Sequence, residues 1–385
     1  MRDYKEESIK LLEELCTNQG IIASKQSIGN YQAVFTRDAV MAGIAGIHIQ
    51  NSTIIEGLVQ SLITLRNTQK KQGQIASNVS TLKDGKIKVS YGTLSHKTDS
   101  CCFYLIGVGL GITHGLLDKN EWMSSVYKTV SLLEALEYNG HHLIYVPQGG
   151  NWADEYPYHG YLLFDQVLRL WGLRLIATIF HDEELSTKVT HIENSIRTNY
   201  TIEENKKGVY HDRAFKQAQE DRKSYLLSGF NPSGYNMEFD LAANAFATFI
   251  LGGSHSIKSL KWISLQEDPI SAFWPIIQPG DSRWHEIRNF HLFEFKNSPG
   301  HYHNGGVWWI WLGWLRQSYL KNGLIDEAEN LKQWALNFLS NSPNFEFNEY
   351  LDKNELNPGG TKWLAYTATG IILLASEKHF DPFHK

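Results

Sequence analysis

Acidic residues recur beside aromatic ones along this chain, each time a short way ahead of an apolar stretch. Phe35-Thr36-Arg37-Asp38, Thr98-Asp99-Ser100, Trp152-Ala153-Asp154-Glu155-Tyr156, Met237-Glu238-Phe239-Asp240 and Glu349-Tyr350-Leu351-Asp352 are five such clusters, and His301-Tyr302-His303-Asn304 is a sixth. Two carboxyl groups facing one bond can cleave a glycoside: one protonates the leaving oxygen while the other activates water or attacks carbon. A carboxyl in an aromatic surround loses hydration, so its proton affinity rises toward what a general acid needs near neutral pH. Asp99, with Phe103 and Tyr104 close by in sequence, is the candidate acid, and Glu349, inside Phe345-Glu346-Phe347-Asn348-Glu349-Tyr350, is the candidate base. Both have blander readings, Asp99 as a helix cap and Glu349 as a solvated loop carboxylate.

The remaining polar groups suit sugar hydroxyls. Arg37 can donate and Asp38 accept, unless they are only an ion pair at a helix start. Asp154, Glu155, Glu238 and Asp240 carry the same ambiguity. His303 and Asn304 precede Gly305-Gly306, where Asn304 reads as a helix cap and hydroxyl ligand. Trp152, Trp274, Trp308 and Trp363 are candidate platforms for the apolar face of a pyranose, with core filling as the alternative. No metal is expected, because His301 and His303 lack further ligands in a zinc spacing. No cofactor is expected either: there is no phosphate-binding P-loop, and Gly107-Val108-Gly109-Leu110-Gly111 lies within a helical pattern, the wrong context for a dinucleotide.

These clusters need elements to gather them. Apolar, small-residue helices are predicted over Asp38–Ile49, Asp99–His114, Gly160–Phe180, Asp240–Gly252, Gly306–Leu320 and Thr361–Ser376. Amphipathic helices alternate with them: Glu6–Leu15, one from Ser52 to Lys71, Lys119–Glu137, Asp182–Arg197, a short one after Ser254, and Asp326–Leu339. Helices apolar all round must be buried, and one-sided helices must lie outside them. The alternation predicts an all-α fold of twelve helices, an inner and an outer ring forming an (α/α)6 barrel with the clusters at one mouth. Lys86–Tyr91 and Gly208–Tyr210 are expected as small hairpin pieces in the connections. No linker or low-complexity tract divides residues 1–385, so one domain is expected.

Composition limits the partners. The net charge of -5 comes from interspersed charges with no basic stripe for nucleic acid. No apolar run is long enough to span a membrane, and Met1-Arg2-Asp3-Tyr4-Lys5-Glu6-Glu7 is not a secretory leader. Three cysteines, two of them adjacent, make a poor disulfide framework and point to reduced thiols in a cytoplasmic protein; the partner expected from the polar and aromatic clusters is a small carbohydrate.

The order and spacing of Phe35-Thr36-Arg37-Asp38, Thr98-Asp99-Ser100, Tyr302-His303-Asn304-Gly305-Gly306 and Glu349-Tyr350-Leu351-Asp352 resemble six-hairpin glycosidases, and the neutral/alkaline invertase family in particular. The resemblance spans nearly the whole chain. It implies an (α/α)6 barrel, Asp99 as general acid, Glu349 as general base, and exo-acting, inverting cleavage of a small α-glucoside such as sucrose. Inversion requires the two carboxyls to stand roughly 6.5–9.5 Å apart. The chain departs from that family at Cys101-Cys102, at Phe347-Asn348 and across Asn151-Trp152-Ala153-Asp154-Glu155. Related six-hairpin enzymes act on glucosylglycerate, mannosylglycerate and glucans. A sugar epimerase using paired histidines and a non-catalytic carbohydrate-binding barrel are the alternatives of a different class.

Overall fold

The computed structural model describes residues 3–82, 84–203, 206–266, 269–291 and 294–384. Among them are fourteen α-helices: α1 (Tyr4–Leu15), α2 (Thr36–His48), α3 (Ser52–Asn67), α4 (Thr98–Thr113), α5 (Lys119–Ala135), α6 (Leu163–Phe180), α7 (Glu183–Asn199), α8 (Asp212–Ala218), α9 (Leu241–Leu251), α10 (Ser254–Ser264), α11 (Trp284–Asn289), α12 (Trp309–Lys321), α13 (Ile325–Ser340) and α14 (Ala365–Ala375). Helices α2, α4, α6, α9, α12 and α14 pack in that order and close on themselves, α14 returning to α2. An outer helix backs each one: α3 on α2, α5 on α4, α7 on α6, α10 on α9, α13 on α12 and α1 on α14. The (α/α)6 barrel expected from the alternation is therefore present. Helices α8 and α11 are short additions within the mouth connections.

The sequence explains which ring each helix joins. Every residue of α4 from Thr98 to Gly111 is buried, whereas α7 buries only Leu185, Val189, Ile192, Ile196 and Asn199, one stripe of its surface. Side-chain caps start the outer helices α1, α3, α5 and α7 through Asp3, Asn51, Asp118 and Asp182. Inner helices lie close. A Cβ on Gly370 of α14 would sit 2.3 Å from the Trp309 carbonyl carbon and oxygen, so glycine is what allows α12 and α14 to touch.

Helix starts differ from expectation where backbone pairing takes over. Tyr161–Leu162 forms a strand with Gly229–Asn231, which delays α6 to Leu163. Val307 bridges Leu351, so α12 begins at Trp309 rather than Gly306. Ile87–Ser90 is a strand, as expected, but Gly208–Tyr210 is not; the hairpin near it is Gly229–Asn231 with Gly234–Asn236.

A circle of backbone hydrogen bonds joins the mouth connections. Thr36 N donates to Ser77 O, Thr98 N to Gly150 O, Leu163 N to Ser228 O, Leu241 N to Ala272 O, Val307 N to Leu351 O, and Ala365 N to Ala23 O. In each, a residue at or just ahead of an inner helix holds the connection leading to the next one. The opposite end is covered by the C-terminal segment. Trp171 Nε1 donates to Pro382 O at 3.0 Å, Phe380 N to Gln317 Oε1 at 2.7 Å, and the Phe383 ring lies by Arg174 and Lys321. Among the described residues no helix is long and apolar enough to cross a membrane, and all three cysteines are free.

Candidate active site

Five of the six clusters meet around Arg37. In the first turn of α2, Arg37 directs Nη1 at Asp99 Oδ2, 2.7 Å away in the first turn of α4, and Nε at Asp38 Oδ2, 3.9 Å away. Burial raises the Asp38 carboxyl to about 6 against the pull of Arg37, and the charges of Glu349 and Asp99 raise it further. The Arg37 guanidinium also lies 5.8 Å from the Tyr366 ring centroid, at the start of α14.

Glu349 precedes the strand Tyr350–Leu351. Its backbone N–H donates to Thr361 O, and Thr361 N donates to its Oε2 at 3.2 Å. Tyr31, from the connection before α2, donates its hydroxyl to Oε1 at 3.0 Å. Burial raises the proton affinity of Glu349, offset by the Thr361 N–H, Lys296 and Tyr31, while the charge of Asp154 adds to the rise. Gly360, at φ +72°, is essential to this packing, since a Cβ there would lie 2.4 Å from Glu349 Oε2.

Asp154 and Glu155 occupy the centre of a turn closed by Tyr156 N donating to Ala153 O at 3.0 Å. Their environments push them apart. Burial works against the Asp154 charge, but Lys97, with Nζ 3.0 Å from Oδ2, outweighs it with help from Arg37 and holds the carboxyl below its ordinary range. Glu155 is lifted to about 7, by burial first and then by the charges of Asp154 and Glu349. The Asp154 side chain is 39% exposed, the most open of the carboxyls here.

The floor is aromatic. Trp152 stacks on Phe273 at 5.6 Å and 7°, and its edges meet His303, Trp308 and Trp311. Trp308 lies nearly parallel to both His303 and Tyr350 and donates Nε1 to Tyr302 O. Burial drives the His303 imidazole down to about 3, so it is neutral. Several buried polar atoms around this floor have no hydrogen-bond partner: Arg37 Nε, Asp99 Oδ1, Glu155 Oε2, His303 Nδ1 and Tyr366 OH. Buried polar groups are normally satisfied, so these atoms are candidates for contact with a polar ligand.

The expected site residues lie in unlike surroundings. Asp99 is 1% exposed and gives one oxygen to Arg37, while its other oxygen has no partner. Asp240 is fully buried, caps α9 through Ala243 N and accepts from Tyr158, with burial raising it to about 7; it is a structural cap. Asn304 is fully occupied: Oδ1 accepts from Ile277 N, and Nδ2 donates to Ile277 O and Asn297 O. Trp152 and Trp308 are 3% and 4% exposed and form floor rather than open platforms. Trp363 packs beside Phe347 with Lys25 Nζ 4.5 Å from its ring centroid, and Trp274, 43% exposed, leans on Trp262. Sequence reasoning passed over Tyr31, Lys97, Lys296 and Tyr366. Lys97 could have been found beside Thr98-Asp99; Tyr31 had no local signal, since its role exists only once the ring closes.

With this geometry in view, comparison with known proteins is informative at one level. No known family model and no curated sequence matches the chain. Solved structures do. An uncharacterized conserved protein from Thermus thermophilus aligns at TM-score 0.65 and 11% identity over 97% of this chain and 100% of its own. A GH63 mannosylglycerate hydrolase from the same organism, solved with glucose, aligns at TM-score 0.63 and 11% identity over the same shares. The wild-type form of a protein described as a glycosidase gives TM-score 0.60 and 13% identity over 97% of this chain and 95% of its own. The fold is shared with solved glycosidases. At such identities the likeness is one of fold, and the expected kinship with invertases has no family match behind it.

Proposed function

We propose that this chain is an exo-acting glycoside hydrolase that cleaves a small α-glycoside with inversion. The observation that carries the reading is the meeting of Glu349 with the Asp154–Glu155 pair in a mouth lined by unpartnered buried polar atoms. Glu349, held on both oxygens by Tyr31 and Thr361, acts as the base that activates water. The proton donor is the Asp154–Glu155 pair, whose proton rests on Glu155 in the free protein because Lys97 keeps Asp154 ionised. Two carboxyls with divergent environments are what acid and base assignments require. Arg37, Asp38, Tyr366 and Asp154 take sugar hydroxyls over the aromatic floor, and Asp99 fixes Arg37 in place.

Sucrose is the first substrate to test, on the motif resemblance. A glycerate glycoside is the second reading, and Lys296 favours it: its ammonium lies 5.0 Å from the Tyr302 ring centroid and acts electrostatically on Glu155 and Glu349, so it could receive an anionic aglycone. The GH63 neighbour is a hydrolase of mannosylglycerate, a compound of that class. The test is sugar release from sucrose, trehalose, isomaltose, glucosylglycerol, glucosylglycerate and mannosylglycerate, with the anomer of the first product followed by NMR. Release of the β-anomer from an α-glycoside supports inversion; the α-anomer refutes it. No release from any of these or other glycosides, with aldose–ketose interconversion instead, would replace hydrolysis by isomerisation.

A further inference from the structure

The Asp154–Glu155 turn carries two acids in a connection with no helix of its own, so something outside it must hold it in register. Its entry is held from within. Asn151 Oδ1 accepts from Ala153 N at 3.1 Å, and Asn151 Nδ2 donates to Tyr158 OH at 2.8 Å and Asp165 Oδ2 at 3.2 Å. Its exit is held from a distant segment. Asn297, fully buried, donates Nδ2 to Glu155 O at 2.8 Å across 142 residues of sequence. Asn297 is itself locked, its Oδ1 accepting from Asn304 N at 3.1 Å and its carbonyl from Asn304 Nδ2 at 3.1 Å. Asn304 in turn grips both backbone groups of Ile277 at 2.9 Å. A chain of buried amides therefore runs from the turn before α12 to the carbonyl of Glu155.

We propose that Asn297 is a positioning residue for the Asp154–Glu155 turn, acting through the Glu155 carbonyl. This rests on the reading of that pair as proton donor. The side-chain direction of Glu155 follows the orientation of its own peptide, and the Asn297 bond fixes that peptide on its far side, where the Tyr156–Ala153 bond alone leaves it free to swing. A small rotation would carry the Glu155 carboxyl out of its buried place and away from Glu349. Misplacement of a reacting group by about 1 Å can cost roughly 100-fold in rate.

The test compares Asn297→Ala and Asn297→Asp in the full chain. It reads the Glu155 titration by carboxyl 13C NMR, kcat and KM on the substrate found above, and thermal unfolding. In Asn297→Ala the freed turn lets water reach Glu155, so its midpoint falls by about one unit from its raised value. Asn297→Asp keeps an acceptor for Asn304 N but has no N–H for the Glu155 carbonyl, so it separates loss of that one bond from loss of the whole amide chain. Both variants lose about tenfold or more in kcat with KM within about twofold. A merely structural role would move stability and leave the Glu155 midpoint in Asn297→Ala and kcat in both folded variants at wild-type values, and that result overturns the proposal. If Asn297→Ala does not fold, the split between kcat and KM in Asn297→Asp decides. A wild-type chain inactive on every glycoside would defeat the hydrolase reading, while the NMR midpoints would still judge the positioning claim.

Discussion

At the scale of single residues, the site is a contest over protons among crowded carboxyls. Glu349→Gln and Glu155→Gln should each lower turnover by about 10²–10⁴-fold, the usual contribution of an acid or base group. Asp99→Asn should do less to kcat and more to KM, because it loosens Arg37 rather than removing a reacting proton. Steady-state kinetics of the three variants separates these outcomes, and an Asp99→Asn loss as large as the others would restore Asp99 as the acid. Glu155 also makes a stability prediction. Its folded-state affinity, about 7, exceeds its ordinary value of 4.5. The folded protein therefore binds this proton more tightly than the unfolded chain, and a penalty accumulates as pH rises from the ordinary value to about 7, then levels off. Glu155→Gln removes it, so the gain in melting temperature over wild type should grow between pH 4.5 and 7 and stay constant above. A gain that is largest in acid would contradict the assignment.

At the scale of elements, the inner helices depend on close approach and on the turns that precede them. Gly370→Ala would drive a methyl into the Trp309 backbone and should destabilise the protein by about 1–3 kcal/mol, read by chemical denaturation. Gly360→Ala should act differently, pressing on Glu349 and straining a left-handed turn, with a larger fractional loss of turnover than of stability. The helices were the legible part of the sequence. An apolar run without a polar face, as in Leu105 to Gly111, can only be interior, and an acid-capped amphipathic run such as Glu183–Asn199 can only be exterior. That the acidic clusters gather at one mouth followed from the same logic. Their division of labour did not. Asp99, Asp154 and Asp240 look alike in sequence, yet one anchors Arg37, one opens to the mouth and one caps a buried helix. Partners distant in sequence decide such roles: Asp99 meets Arg37 across 62 residues, Glu155 meets Asn297 across 142, and Glu349 meets Tyr31 across 318. Asn304 misled for a related reason, since an amide before Gly-Gly looks available until the backbone of Ile277 takes it.

At the scale of the whole molecule, six chemically different connections behave as one rim because each inner helix start holds the next connection, and the last bond, Ala365 N to Ala23 O, returns to the first. The far end is sealed differently, by residues that follow α14. Removing residues 378–385 should lower the melting temperature by several degrees, because Trp171 and Gln317 would lose Pro382 and Phe380, yet leave KM nearly unchanged. A large rise in KM on this truncation would show that the two ends communicate.

The sealed end also governs traffic. The C-terminal segment lies against the inner helices at that end of the ring, so on the glycosidase reading proposed above substrate enters from the mouth. If the products also leave by the mouth, the aglycone, nearer the opening, should depart first and the sugar on the aromatic floor last. The released monosaccharide should then compete directly with incoming substrate, while the aglycone should inhibit noncompetitively by meeting the sugar-loaded form. Initial-rate studies with each product added in turn would show that pattern, and the opposite assignment would mean that the sugar finds another way out.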